Sequence, residues 1–572
     1  MNKLLTLICT LLVTTAYARK TDFELSNGSR SVTYKELIAF YRQLDEDYST
    51  IKMEQVGPTD AYYPLHVVYY SNDASFDIRT WKDQGKIVIL INNGIHPGEP
   101  DGIDASMMLL RDAAEDKLKI PDNIALAVIP VFNIGGMLNR GSYSRANQDG
   151  PEEYGFRGNS KNLDLNRDFI KMDAKETRSL VKLFRRLDPD VFIDNHVSDG
   201  ADYQHVMTLL PTLHDKLGGS MASYMRTTFE PLIYADMKNR GYDLVPYVNH
   251  WGHTPDKGWI SFYDGPRFMS GFAALFHTYA FVTETHMLKP FKQRVDATYA
   301  MMQSFISFSY LHADEITATR KAQKEYYSNA TKLPIAWQVD TARHTTITFK
   351  GYEAGYKPSL VSGQPRLFYD RSKPYTKQIP LHDSYTPAQS ASVPKTYIIG
   401  HGWTNVINRL KINGVKMDII PADTTILITA NYIDDYETVK KPYEGHYLHS
   451  NIKVHAIHKE VRVLKGDYII STNQPAKRYI LETLEPTAPD GFFAWGFFDA
   501  ILQQKEGYSD YVFEDEAAEL LKQNPELKQL LKERQKADSN FVTDGEAQLD
   551  FVYKHSPYFE STYGRYPVFR IE

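Results

Sequence analysis

Four apolar runs alternate with helical patterns along the first half of the chain. "GKIVILI" is followed by "DGIDASMMLLRDAAED", and "IALAVIPVF" leads into a Gly-rich loop. "DAKETRSLVKLFRRL" precedes "DVFIDNH", and "AALFHTYAFVTET" precedes a long helical pattern near Ala297 to Ala313. Runs this short and continuously apolar suit strands buried on both faces, and their alternation with helices predicts a doubly wound α/β mixed sheet. In such sheets ligands bind outside the carboxyl ends of the strands, so residues just after each run are the first candidates for function.

At 572 residues the chain is too long for one ordinary core. The pattern changes from about Lys332. "HTTITFKGY", "KTYIIGH", "TTILITANY" and "NIKVHAIHKEVRVLKGDYIIST" read as strands, with a helix at "TNVINRLKING" stopped by Gly414. The closing segment "EDEAAELLKQNPELKQLLKERQKAD" is charged and helical, with Pro525 dividing two helices. The expected organisation is a leader over 1–18, an α/β domain over 19–330, a β-rich domain over 331–495, and a helical tail over 496–572 packed on the second domain.

The leader has one basic residue, Lys3, an apolar run from Leu4 to Val13, and the A-x-A-like Ala16-Tyr17-Ala18. This is the pattern of a cleaved secretory signal. The run is too short to span a bilayer, so no stable membrane insertion is expected. Cys9, the only cysteine, lies inside it. A mature chain without cysteine excludes disulfides, thiolate metal sites and a Cys nucleophile, and suits a periplasmic or secreted protein. Apolar content of 42%, charged content of 24% and a formal charge of −6 give no footprint for nucleic acid.

After "KIVILI" comes "NNGIHPGEPDG". His96 and Glu99 share one short loop stiffened by Pro97 and Pro100, so an imidazole and a carboxylate can face a common point. "DVFIDNHVSDG" brings His196 to another strand end. Two imidazoles and a carboxylate make a three-ligand zinc set with a fourth position for water, one Zn²⁺ per chain. "YAFVTETH" brings Glu284 to a third strand end, and a carboxylate near a metal-activated water is what hydrolysis needs. In "NLDLNRDF", Asn166 and Arg167 suit recognition of a substrate carboxylate, and Asp164 is placed to orient a ligand imidazole. A lone histidine at any of these places would read as a hydrogen-bonded loop residue. Their shared position at strand ends argues for a site.

His-x-x-Glu, an Asn-Arg pair, a His at a strand end and a later Glu, in that order, resemble the zinc carboxypeptidases of the carboxypeptidase A type. The resemblance covers about Leu37 to Ser309. It implies that His96, Glu99 and His196 bind zinc, that Glu284 is general base and then acid, and that Asn166 and Arg167 hold the C-terminal carboxylate of a peptide substrate. It also implies an oxyanion arginine downstream of "FNIGG". Arg145 fits best by distance from Asn133, with Arg157 in "YGFRGN" as competitor. The family's substrate-capping tyrosine falls near Tyr263. The stretch from Asn166 to His196 is short, and "LEPTAPDGFFAWGFFDAIL" resembles the C-terminal extension of a bacterial subgroup. The function so implied is that of an exported zinc metallocarboxypeptidase. Competing readings are an amidase or deacylase, a peptidoglycan-peptide hydrolase, an iron(II) oxygenase using the same two-His, one-carboxylate set, and a non-catalytic envelope binding protein.

Two further groups invite a metal reading and do not earn it. His446, His449, His455 and His458 have mixed parity along a strand, so they cannot all face one way. His250 and His253 read as loop histidines. Arg267, in "RFMSG", could supply a cation for an acidic or peptidoglycan-type substrate, or could simply pack.

Overall fold

The computed structural model describes residues 19–250 and 252–572, so the expected leader lies outside the described residues. The chain divides into two compact units. The first takes in residues up to 325 together with 339–386, and the second comprises 326–338 and 387–572. This departs from a single boundary at residue 330.

The first unit is built on an eight-stranded mixed sheet. Its strands are β1 (Ile51–Gly57), β2 (Leu65–Tyr70), β3 (Ile87–Asn92), β4 (Ile124–Ile129), β5 (Val191–Ser198), β6 (Met207–Pro211) and β7 (Val245–Pro246). After the short β8 (Trp259–Ile260), which pairs elsewhere, β9 (Tyr279–His286) completes it. The spatial order is β1-β2-β4-β3-β5-β9-β6-β7. The central four, β4, β3, β5 and β9, are mutually parallel. β3 and β4 are buried at every residue, which is why they read as unbroken apolar runs. Helices cover both faces. Ile89 and Ile91 pack in one cluster with Leu37, Met107 and Phe305 from the helices Tyr34–Asp47, Asp101–Ala114 and Phe291–Leu311. On the opposite face Phe192 of β5 meets Phe184 of the helix Lys175–Leu187, which in turn meets Phe272.

From β3 the chain crosses to β4 on one side, and β5 lies on the other. The loop leaving β3 therefore opens at the point where strand order reverses, next to the end of β5. Gly94 begins that loop at φ +63°, and a Cβ there would meet Val131 at 2.9 Å and Ile103 at 3.0 Å. Only glycine fits both the conformation and the close approach.

The first unit also holds a long antiparallel hairpin, Thr345–Pro358 with Pro365–His382. Its second strand pairs in parallel with β8, Leu381 opposite Trp259 and His382 opposite Ile260. The sequence reading assigned these strands to the β-rich domain. Their pattern announces strands but not which core receives Phe349, Ile379 and Leu381. Here they bury against Tyr203, Val245 and Trp259 of the first unit.

The second unit contains a six-stranded sheet and the helix Thr404–Ile412, which stops before Gly414 at φ +73°. The helices Asp510–Gln523 and Pro525–Ala537 meet at Pro525 and share a small core with Gly545–Lys554. The segment expected as a helical tail ends in a strand, Val568–Ile571, which lies inside the six-stranded sheet between Thr396–Ile399 and Thr424–Thr438.

Candidate metal centre

The loop after β3 is held on all sides. Phe132 N–H donates to Asn93 O, Asn133 N–H to Gly94 O, Gly155 N–H to Pro97 O, and Glu99 N–H to His96 O at 2.8 Å. That last bond closes a turn that sets His96 and Glu99 side by side. The two faces of the Glu99 carboxylate then meet two imidazoles. His96 Nδ1 lies 3.2 Å from Oε1, and His196 Nδ1 lies 3.2 Å from Oε2. One donor atom from each of the three falls within 4.8 Å of the others, and all three residues are buried.

The far nitrogens of both rings face carboxylates. His96 Nε2 lies 3.0 Å from Asp164 Oδ1, and His196 Nε2 lies 3.0 Å from Asp194 Oδ2. Carboxylates behind two histidines fix which nitrogen faces forward and make it more basic, as metal-ligating histidines require. Asp194 and His196 share a face of β5 because they are two residues apart on a strand. The sequence reading named Asp164 and missed Asp194, although the i, i+2 spacing in "DNH" was available to it. Taken together, two forward-facing imidazole nitrogens and one buried carboxylate fit a divalent cation that prefers nitrogen and oxygen donors.

Asp164 is also a hub. Its carboxylate accepts from Asn166 N–H at 2.9 Å and from Arg157 Nε at 2.9 Å. Burial opposes its charge, but His96, Arg157 and Arg167 outweigh that and hold the carboxyl well below the usual range. Likewise burial opposes charge on Glu99, and His96 and Arg145 prevail. Burial would lower His196, yet Asp194, Glu99 and Glu284 raise it.

Glu284 is the direct partner of His196 in the parallel pairing of β5 with β9. It is partly open to a cavity of about 550 Å³ whose wall also includes His96, Glu99, Asn166, Arg167 and His196. Burial, reinforced by the negative charge of Glu99 and opposed by His196, pushes the Glu284 carboxyl up to about 8. Such a group can exchange a proton near neutral pH.

Both candidate oxyanion arginines line this cavity, with different freedom. Arg145 is largely buried and has its donors engaged: Nη1 to Glu99 at 2.9 Å, Nε to Gln148 at 2.6 Å, and Nη2 to Val197 O at 3.2 Å. Arg157 is anchored by Asp164 through Nε at 2.9 Å and Nη2 at 2.8 Å, its Nη1 lies 3.8 Å from Glu99 Oε1, and its side chain is 44% exposed. Its Nη1 comes within 3.4 Å of His96 Nδ1, beside the ligand cluster. Both guanidinium groups are paired to carboxylates; Arg157 is the more exposed of the two, at 44% against 13%.

Asn166 and Arg167 sit on a short 3-10 turn, Leu165–Arg167, capped by Asp164. The Arg167 guanidinium lies over the Phe268 ring, 4.5 Å from its centre. Tyr263 is not part of the cavity wall. It stacks on Tyr385 with ring centres 5.9 Å apart, while Tyr247 lines the cavity instead. The other histidines disperse: His449 meets Thr438 and Asp499, His455 meets Asp434, and His458 meets Thr429.

No protein-family profile matches the sequence. Among curated proteins the chain is similar to carboxypeptidase 2 of Trichophyton rubrum, with 21% identity over 82% of this chain and 85% of that protein. It is similar at 22% identity to carboxypeptidase 2 of Trichophyton equinum, over 72% of this chain and 74% of that protein. In sequence the chain is thus similar to carboxypeptidases. Solved structures similar to this chain include a metallo-carboxypeptidase from Pseudomonas aeruginosa in complex with (2-guanidinoethylmercapto)succinic acid. That match has 14% identity and a TM-score of 0.36, over 50% of this chain and 70% of that one. Carboxypeptidase A of Helicoverpa armigera matches at 13% identity and a TM-score of 0.36, over 51% and 74%.

Proposed function

We propose that this chain is an exported zinc carboxypeptidase that removes the C-terminal residue of peptides. The observation that carries this is the convergence, on one cavity, of the His96–Glu99–His196 cluster, the Glu284 carboxyl and the Asn166-Arg167 pair. His96, Glu99 and His196 would hold the zinc, which supplies Lewis acidity and lowers the pKa of water.

The chain's own groups do the rest. Asp164 and Asp194 keep the two imidazoles facing forward. Asn166 and Arg167 bind the terminal carboxylate, Arg by a planar pair of donors. Glu284, beside His196, accepts the proton of the attacking water and delivers it to the leaving amine nitrogen. Arg157, whose Nη2 is held by Asp164, donates through Nη1 to the scissile carbonyl oxygen as negative charge develops there. Tyr247 stays a neutral hydrogen-bond donor on the cavity wall, because burial and the fields of Glu284 and Glu99 push its phenol up. The leader pattern supports export, with cleavage after Ala18; among the described residues no helix is long and apolar enough to cross a membrane.

The test is a peptide-library digest by the purified protein, with and without chelator, read by mass spectrometry. Loss of single C-terminal residues from free-acid peptides, absent on C-terminal amides and absent with chelator, is the expected result. Equal cleavage of acids and amides would instead indicate an amidase.

A further inference from the structure

The hairpin Thr345–Pro358 with Pro365–His382 has two unlike ends. Its root is tied to the first unit. Ser261 N–H donates to His382 O at 3.0 Å, and Gln204 Nε2 donates to Gly351 O at 2.8 Å and to Tyr375 O at 3.0 Å. Arg371 Nε donates to Asp202 at 2.6 Å, and Tyr369 Oη donates to His253 O at 3.4 Å. Outward of Tyr369 and its partner Ala354 the strands run on as a two-stranded ribbon, ending with Pro358 opposite Pro365. At the usual strand rise this adds about 15 Å before the turn.

The turn closes on itself. Ser359 N–H donates to Gln364 O at 2.8 Å and Gly363 N–H to Ser359 O at 3.0 Å, while Ser359 Oγ accepts from Val361 N–H at 3.1 Å and Ser362 N–H at 3.2 Å. Backbone groups satisfied in this way can leave water cheaply. The side chains are turned out: Leu360 is 98% exposed and Val361 99%. Behind them the ribbon has two faces. Tyr356 stands opposite Leu367 on one, and Lys357 stands opposite Arg366 on the other, with Lys357 Nζ 4.8 Å from the centre of the Phe268-independent Phe368 ring. No acidic residue occurs from Ala354 to Tyr369, although the whole chain has a formal charge of −6. The flanking acids are taken, Glu353 by Lys377 at 3.6 Å and Asp370 by Lys373 at 3.4 Å. Like charges directly opposite each other destabilise an antiparallel pair, and an anion set against both would relieve that.

We infer that this tip docks the protein on the surface of an anionic phospholipid bilayer. Leu360 and Val361 enter the acyl boundary, Tyr356 lies at the level of the headgroups, and Lys357 and Arg366 meet lipid phosphates. A protein partner suits the tip less. Specific protein interfaces bury about 800 Å² on each side, and a narrow turn led by two side chains presents little of that. A bilayer requires no complementary shape and offers hydrocarbon and negative charge in the order the tip presents their counterparts. The contact is peripheral and reversible; among the described residues no helix is long and apolar enough to cross a membrane. The inference concerns where the protein works and stands apart from the hydrolytic reading.

The experiment is co-sedimentation of the whole chain from Arg19 onward with vesicles of phosphatidylcholine, alone or mixed with phosphatidylglycerol, at low and high salt. The wild type should bind the mixed vesicles, and bind pure phosphatidylcholine at least about ten-fold more weakly. Leu360→Ser with Val361→Ser should weaken binding to the mixed vesicles by at least about ten-fold. Lys357→Gln with Arg366→Gln should weaken it by about ten-fold at low salt and remove most of the salt dependence. All four side chains are exposed, so thermal melts of both double variants should match the wild type. A second readout uses the lack of any cysteine beyond Cys9. An environment-sensitive fluorophore on Leu360→Cys should brighten and shift to the blue with mixed vesicles, and the same label on the exposed Tyr511→Cys should not. Absence of wild-type binding to the mixed vesicles would overturn the inference, as would binding that both double variants retain in full. A lipid-free dimer in sedimentation equilibrium that Leu360→Ser with Val361→Ser abolishes would also overturn it, and would assign the tip to a second copy of the chain.

Discussion

His196 and Glu284 stand directly opposite each other in the parallel register of β5 and β9. The strand pairing itself thus puts a candidate proton acceptor beside a candidate metal ligand, with no loop conformation to arrange. Glu284→Gln keeps the shape and removes the proton exchange. It should lower kcat by about 10²- to 10⁴-fold while leaving metal content, measured by mass spectrometry, unchanged. Full activity with metal bound would refute the assigned role.

The carboxylates behind the imidazoles should matter for the metal more than for the fold. Asp164→Asn and Asp194→Asn are each expected to weaken zinc affinity by about 10- to 100-fold, measured by competition with a fluorescent chelator. Chelation should abolish hydrolysis, and added zinc should restore it. Tight zinc binding in the Asp194→Asn protein would show that its 3.0 Å approach to His196 has no orienting role.

The arginines should separate in steady-state kinetics. Arg157→Ala should reduce kcat by about 10²- to 10³-fold, as expected for a donor to developing charge. Arg167→Gln should instead raise KM for free-acid peptides, with less effect on kcat, because a carboxylate is bound in ground and transition state alike. A larger kcat loss in Arg145→Ala than in Arg157→Ala would instead give that role to Arg145, the assignment made from chain distance.

His286 makes a separate prediction about acid. Its Nε2–H donates to Ala201 O at 2.8 Å, and its Nδ1 accepts from Leu288 N–H at 3.1 Å, so the neutral ring is fully engaged. Burial, aided by Lys289 and opposed by the Ala201 bond and the charges of Asp202 and Asp199, lowers its pKa to about 4. Between the unfolded value of about 6.5 and this one, the unfolded chain binds a proton that the folded chain refuses. Stability should therefore fall by about 3 kcal/mol as pH drops from 6.5 to 4, and level off below. Urea denaturation at several pH values should show that loss, and His286→Gln should flatten the slope over this window.

Much of this was readable before any coordinates. The apolar runs announced the central strands, and residues 96, 99 and 196 could be placed near one another because each follows such a run. What escaped was whatever depended on side-chain direction or on choosing among neighbours. Arg145 and Arg157 lie in one Gly-rich loop, and only coordinates reveal that the former is held by Glu99, Gln148 and Val197. Tyr247 and Tyr263 lie in one irregular stretch, where no period tells which ring turns inward. The hairpin Thr345–His382 looks like its β-rich surroundings because amphipathic alternation encodes a strand and not the core it joins.

That hairpin also interrupts the second unit, whose residues 326–338 and 387–572 flank it. During synthesis from the N-terminus, every candidate zinc ligand has emerged well before His382, yet Ser261 still lacks the carbonyl that braces it. A protein truncated at residue 330 would carry the candidate zinc ligands but expose Tyr203, Val245 and Trp259, which the hairpin covers. Its first unit should therefore be less stable than the same unit in the full chain.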